Sequence, residues 1–98
     1  MAIDVEWQDE RGATVARYDG LPIDGRLPER AQSGSSCLRF IDPYGDTTFN
    51  EAQVGMLEQE LASVSVGDDE VAEQAKSLLA FVRRKNERTH RYLKFIGD

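Results

Sequence analysis

The residues with the clearest capacity for chemistry in this sequence are a single cysteine and a single histidine, Cys37 and His90. They could supply a nucleophile and a base, but nothing in either local sequence marks the residue as activated. Cys37 opens a β-prone segment, where a cysteine that packs as a small apolar side chain is expected. One cysteine forms no intrachain disulfide, and one histidine would need carboxylates to complete a zinc site. We therefore expect no catalytic residues, no metal and no cofactor.

Two carboxylates, Asp42 and Asp46, bracket a stretch that is dense in turn-forming residues. They could be a carboxylate pair or metal ligands, but aspartates at such positions ordinarily bond to backbone amides of the turn. The stretch lacks the alternating ligands and the distal glutamate of a calcium-binding loop. The glycines of the chain match neither a P-loop nor a dinucleotide-binding pattern. We interpret both aspartates as turn residues and predict no nucleotide site.

Charge is distributed unevenly along the 98 residues, whose net charge is −6. Residues 1–75 carry 16 acidic and 5 basic side chains, whereas residues 76–98 carry 7 basic and 2 acidic ones. An acidic majority repels nucleic acid and attracts a basic protein, so we expect a protein partner and no direct nucleic-acid binding. The basic residues 83–92 leave an alternative open, a small adaptor domain. Such a domain would bind RNA or an acidic protein through its C-terminal helix, with Arg83, Arg84, Lys85 and Arg88.

The elements that would position these residues follow from period and turn signals, and 98 residues predict one domain, 1–98. Ile3, Val5 and Trp7 alternate with polar residues, which predicts a strand with one buried face. Residues 9–12 end in a glycine and predict a turn, and residues 13–18 predict the returning strand of a hairpin. Residues 19–36 contain breakers every few positions, so we expect a long connecting loop there.

The second half of the chain predicts another hairpin, two helices and a last strand. Residues 37–41 and 47–49 are β-prone and flank the turn at 42–46. Asn50 with Gln53 forms a capping pattern for one helix, and Asp68 or Asp69 can cap a second. Residues 92–96 again read as a strand. The order ββ-ββ-αα-β predicts an α+β fold, an antiparallel sheet with an α-helical hairpin packed on one face.

A set of residues with freely projecting side chains is our candidate partner-binding surface. Its carboxylates fall in predicted turns or at a helix start, and one tyrosine at a turn tip could anchor a partner. The set comprises Asp9, Glu10, Asp42, Tyr44, Asp46, Asp68, Asp69 and Glu70.

Two motifs, CLRFIDPYGDTTFN at residues 37–50 and YLKFIGD at residues 92–98, resemble a group of small acidic bacterial proteins. The size and acidity of the chain also resemble those of immunity proteins of contact-dependent growth inhibition and related polymorphic toxin systems. The motifs cover 21 of the 98 residues.

This resemblance implies a cytoplasmic protein that binds the toxic C-terminal domain of a delivered effector, often a nuclease, and blocks its active site or substrate surface. It implies no small-molecule substrate. No residue role transfers from it. The longest apolar run has five residues, and residues 1–4 are unlike a signal peptide, so we expect neither a membrane span nor export.

Overall fold

The computed structural model describes residues 3–30, 37–84 and 91–97. Its elements follow one another as β1 (Asp4–Gln8), β2 (Thr14–Arg17), α1 (Arg26–Arg30), a 3-10 helix (Leu38–Phe40), β3 (Asp46–Phe49), α2 (Glu51–Val64), α3 (Glu70–Arg83) and β4 (Tyr92–Ile96). The four strands form an antiparallel sheet in the order β2-β1-β4-β3. The predicted α+β class is confirmed.

The register of the sheet places apolar side chains of neighbouring strands on one face. Val5 lies opposite Phe95, and Trp7 lies opposite both Leu93 and Ala16. The alternation predicted for β1 is confirmed, because Val5 and Trp7 are at most 4% exposed. The core joins this face to α2 and α3, and α3 contributes its stripe of Val71, Ala75, Leu78, Leu79 and Val82. The opposite face of the sheet, including Glu6 and Lys94, stays partly exposed.

Side-chain hydrogen bonds and a glycine stabilise the turn of the first hairpin. The Asp9 carboxylate accepts hydrogen bonds from the backbone N–H groups of Arg11 and Ala13, at 2.9 and 3.0 Å. Gly12 has a φ of 83°, which glycine adopts without steric cost. The register shifts beyond Trp7, so Val15 has no residue opposite it on β1 and its side chain is 50% exposed.

The prediction that residues 37–41 and 47–49 form a second hairpin is wrong. Residues 38–40 form a 3-10 helix in place of a strand, and β3 pairs with β4. The cause is a long-range contact: the Glu60 carboxylate of α2 accepts hydrogen bonds from the N–H groups of Cys37 and Leu38, at 3.1 and 2.9 Å. Those donors would otherwise need a neighbouring strand. The strand partner of β3 therefore comes from the end of the chain.

The predicted loop at 19–36 is also wrong in part, because residues 26–30 form α1. Ile23 makes a β-bridge to Ile3, and the Asp24 carboxylate accepts the N–H of Arg26 at 2.9 Å. Leu27 is fully buried, so core contact holds a helix too short to be stable alone. Residues 31–36 lie outside the described residues.

Both predicted helix caps of the helical hairpin are confirmed. Asn50 and Gln53 form a reciprocal capping box at the start of α2. Asp69, one of the two aspartates considered, caps α3 by accepting the N–H of Ala72 at 3.0 Å. No helix within residues 3–30, 37–84 and 91–97 is long and apolar enough to cross a membrane.

Candidate functional site

The turn at residues 42–46 presents an exposed tyrosine on a fixed backbone. The Asp42 carboxylate accepts the N–H of Tyr44 at 2.9 Å, and the N–H of Gly45 donates to the Asp42 carbonyl oxygen at 3.3 Å. The N–H of Gly97 then donates to the Gly45 carbonyl oxygen at 2.7 Å. Tyr44 is 69% exposed. The interpretation of Asp42 as a turn residue is confirmed, and its contacts set the direction of the turn tip.

Asp46 closes the same turn and begins β3. Its carboxylate lies 3.5 Å from the Lys94 ammonium on the neighbouring strand, and its side chain is 56% exposed. The contact holds the carboxylate at the sheet end while leaving it open to solvent.

The start of α3 holds a second acidic group. Asp69 forms an ion pair with Arg30, and Glu70 lies 2.7 Å from the Arg26 guanidinium, so both are tied to α1. The hydrogen bond from Arg30, followed by that from the N–H of Ala72, lowers the pKa of Asp69. Asp68 is exposed, and its side chain has no hydrogen bond or ion pair with the rest of the described chain.

These two acidic groups border the same short helix. A Cβ on Gly25, next to the start of α1, would lie 3.5 Å from Pro43 of the turn. Asp46 lies opposite Ile96 at the sheet end where β4 finishes. We call this surface the acidic end and define it as Asp42, Tyr44, Asp46, Asp68, Asp69 and Glu70. Six of the eight candidate residues therefore lie in two segments, 42–46 and 68–70, that both border α1.

Asp9 and Glu10 are not part of that surface. They form the β1–β2 turn, at the end of the sheet where β4 begins, since Gln8 pairs with Tyr92. Hydrogen bonds from the N–H groups of Ala13 and Arg11 lower the pKa of Asp9, which marks it as a turn residue. Glu10 is exposed.

A pocket of about 290 Å³ lies at that other end, beside the edge strand β2. Trp7, Val15 and Ala16 of the first hairpin and Phe81 of α3 provide its apolar wall. Its charged lining consists of Arg17, Asp19, Arg84 and Arg91. We call this the β2 pocket. The sequence marks the basic run 83–92 but not the pocket, because the pocket is lined by β1, β2 and α3, which are distant along the chain.

The arginines of the β2 pocket differ in their partners. The Arg17 guanidinium lies 3.8 Å from the Glu6 carboxylate, on the open face of the sheet. Within the described ranges, no carboxylate lies within 4.0 Å of Arg84 or Arg91. Arg84 stands over the ring of Phe81, 5.8 Å from its centroid. Two guanidinium groups thus flank an apolar wall without an ion-pair partner there.

The other basic residues of the predicted adaptor surface are only partly described. Arg83 points to α2, 3.8 Å from the Glu58 carboxylate. Lys85 and Arg88 lie outside the described residues, as does His90.

Cys37 is buried, as predicted, and its thiol donates to the Gln53 carbonyl oxygen at 3.5 Å. Burial, followed by the charge of Glu60, raises the pKa of this thiol and so disfavours the reactive thiolate. Across residues 3–30, 37–84 and 91–97, no group of three or more His, Cys, Asp or Glu side chains is placed to hold a metal ion.

No protein-family model matches the chain, and neither a curated protein nor a solved structure matches it significantly. The resemblance to immunity proteins therefore stays a prediction.

Proposed function

We propose that this is a non-catalytic, cytoplasmic binding protein that neutralises a basic toxin domain, such as a nuclease, by covering its active site or substrate surface. The observation that supports this proposal is the acidic end, where an exposed tyrosine and carboxylates from two separate parts of the chain border the same short helix. Such an arrangement suits the lysines and arginines with which a nuclease holds phosphates.

Two carboxylates of the acidic end are held in place by arginines of α1. Asp69 and Glu70 are bound to Arg30 and Arg26, yet their side chains are 49% and 75% exposed. A side chain that is already ordered loses less conformational entropy when a partner binds. A partner arginine can share such a carboxylate, since each oxygen accepts more than one hydrogen bond. The ion pairs with α1 therefore position these carboxylates and leave them able to accept hydrogen bonds from a partner.

Tyr44 would be the anchor of the interface. Tyrosine is enriched among the residues that dominate binding energies, because it has a large apolar ring and a polar tip. Asp68 would act differently: its exposed carboxylate has no ion pair within the described residues and would mainly speed association.

The experiment compares capture of partners by tagged wild-type protein, by the double variant Tyr44→Ala/Asp68→Lys and by Glu10→Lys. Glu10 is the matched control because it is an exposed acid at the opposite end of the sheet. We expect wild type and Glu10→Lys to retain a basic domain of a secreted effector from lysate of the source bacterium. The double variant should bind this domain at least about 30-fold more weakly, because the loss of one anchor residue has an effect of that size.

The captured domain is then expressed alone and together with each variant. Growth arrest by the domain, relieved by wild type and Glu10→Lys but not by the double variant, would support the proposal. Capture of RNA or ribosomal proteins in place of such a domain would contradict it, as would equal protection by all three proteins.

A further inference from the structure

The β2 pocket has a lining that the proposed function leaves without a role. Its wall combines the indole of Trp7 and the ring of Phe81 with the small side chains of Val15 and Ala16. Its volume of about 290 Å³ is at the lower limit of small-ligand sites and accommodates one apolar group of six to ten heavy atoms. An apolar wall of this kind takes an apolar ligand group.

The charged groups around the wall favour an anion. Three arginines and one aspartate line the pocket, and Arg17 is directed to Glu6. In the described part of the chain no carboxylate lies within 4.0 Å of Arg84 or Arg91, whereas six other basic side chains there have such a partner. The Arg91 charge acts on a carboxylate only from farther away, as a minor cause of the lowered pKa of Asp9. The planar fork of a guanidinium matches a carboxylate with two parallel hydrogen bonds.

We propose that the β2 pocket binds a carboxylate that is attached to an apolar group. The apolar group lies against Trp7 and Phe81, and the carboxylate lies between Arg84 and Arg91. Asp19, which also lines the pocket, opposes the carboxylate and limits the affinity. This site is separate from the acidic end and does not depend on the toxin-binding proposal.

Two sources could supply such a group: a free organic acid, or the C-terminal residue of a peptide. The edge position of β2 bears on the second source. The N–H of Tyr18 donates to Val5 of β1, so the preceding residue, Arg17, directs its backbone groups to the outer edge of the sheet. A peptide in extended conformation could pair with those groups while its terminal carboxylate enters the pocket.

The first test uses cyclohexanecarboxylate, with cyclohexylmethanol as the uncharged control. Trp7 is the only tryptophan of the chain, so its fluorescence reports on this pocket alone. We expect saturable binding of the acid with a dissociation constant on the order of 1 mM, as for a good ligand of this size. The alcohol should bind at least about tenfold more weakly, because it cannot form the charged hydrogen bonds.

Three variants assign the roles of the charged residues. The double variant Arg84→Gln/Arg91→Gln should lose at least about tenfold in affinity for the acid, whereas Asp19→Asn should gain a few-fold. Arg11→Gln is the matched control, since Arg11 is an exposed arginine of the hairpin turn that does not line the pocket. Its affinity should be unchanged. Urea unfolding of each variant verifies that the fold is retained.

The second test uses acetyl-Thr-Val-Leu with a free carboxylate and the same peptide as its C-terminal amide. Tighter binding of the free-acid peptide than of cyclohexanecarboxylate identifies a peptide terminus as the source, and weaker binding identifies a free acid. Both results support the carboxylate site. The proposal is overturned if neither acid binds at a concentration of ~20 mM, which is 20-fold the expected dissociation constant. It is also overturned if the alcohol or the amide binds as well as its acid, or if the double arginine variant binds the acid like wild type. Reversing Asp68 at the acidic end should change none of these values.

Discussion

Replacing Asp24 by asparagine should destabilise the protein in a pH-dependent way. The Asp24 carboxylate accepts the backbone N–H of Arg26 at 2.9 Å and the Arg26 guanidinium at 2.8 Å, and Gln74 donates to it at 3.3 Å. The hydrogen bond from the Arg26 side chain is the largest cause that lowers the pKa of Asp24 to about 2. This single carboxylate therefore joins the start of α1 to α3, on which the acidic end depends.

The pKa sets an upper limit on the effect. A carboxyl group in the unfolded chain has a pKa of about 3.9, and each pKa unit of difference corresponds to about 1.36 kcal/mol, which gives at most about 2.6 kcal/mol. The Asp24 side chain is 31% exposed and that of Arg26 49%, so water and salt screen the pair. We expect Asp24→Asn to lower the free energy of unfolding by about 1 to 1.5 kcal/mol at pH 7.

The sign of the pH dependence follows from the lowered pKa. Because the folded protein binds this proton less tightly than the unfolded chain does, the contribution of Asp24 is fully present above pH ~4.5 and is lost as the pH falls towards 2. About half of it should remain at pH 3. Asparagine does not titrate, so the difference between wild type and variant should shrink over this range.

The assay is urea unfolding of wild type, Asp24→Asn and Glu29→Gln at pH 7, 5, 4 and 3. Glu29 is the matched control because it lies on α1, is exposed, and its side chain has no hydrogen bond or ion pair with the rest of the described chain. A difference between wild type and Asp24→Asn that is the same at pH 7 and pH 3 would refute the reasoning. So would an equal effect of Glu29→Gln.

Two further changes test local contacts by the same unfolding measurement. Glu60→Ala should lower the free energy of unfolding by about 2 to 4 kcal/mol, because it leaves the buried N–H groups of Cys37 and Leu38 without their carboxylate. Glu60→Gln keeps an acceptor and should lower it by about half as much. Equal losses from the two variants would contradict this role of Glu60. Gly55→Ala should stabilise α2 by about 0.5 to 1 kcal/mol, since a Cβ there meets no atom within 4 Å. Gly97→Ala should destabilise the protein by about 1 to 3 kcal/mol, since its Cβ would lie 2.6 Å from backbone atoms of the 42–45 turn. The opposite order of the two alanine variants would contradict the packing.

The parts of the fold that the sequence predicts are those determined by neighbours along the chain. The turn at Gly12 and the caps at Asn50 and Asp69 each depend on contacts within about four residues, and the alternation of Val5 and Trp7 is a period within one strand. Periodicity and capping describe such contacts directly. These elements are accordingly found where they were expected.

The errors arise where a distant side chain decides the local structure. Residues 38–40 are β-prone, but the Glu60 carboxylate, 22 positions from Leu38, takes the backbone donors that a strand would use. In the same way the core contacts of buried Leu27 hold a helix in a segment rich in breakers. In both cases tertiary contacts outweigh the intrinsic secondary-structure propensity of the residues.

The candidate site shows the same division. Turn chemistry correctly identifies Asp42 as a structural carboxylate, yet only the strand order shows that Asp42 and Asp9 lie at opposite ends of the sheet. The β2 pocket brings together Trp7, Val15 and Phe81, which lie on three different elements. Such a juxtaposition has no signal in composition or period.

The separation of the two surfaces makes the two proposals independent. The acidic end lies where β4 finishes, and the β2 pocket lies beside Arg91, where β4 begins. A strand of five residues spans about 16 Å, which is about twice the screening length of roughly 8 Å at physiological salt. A charge reversed at Asp68 should therefore have little effect on an anion between Arg84 and Arg91. If reversal at one end did alter binding at the other at physiological salt, the cause would have to be a change of structure through α3, which connects both ends, and not the electrostatic field.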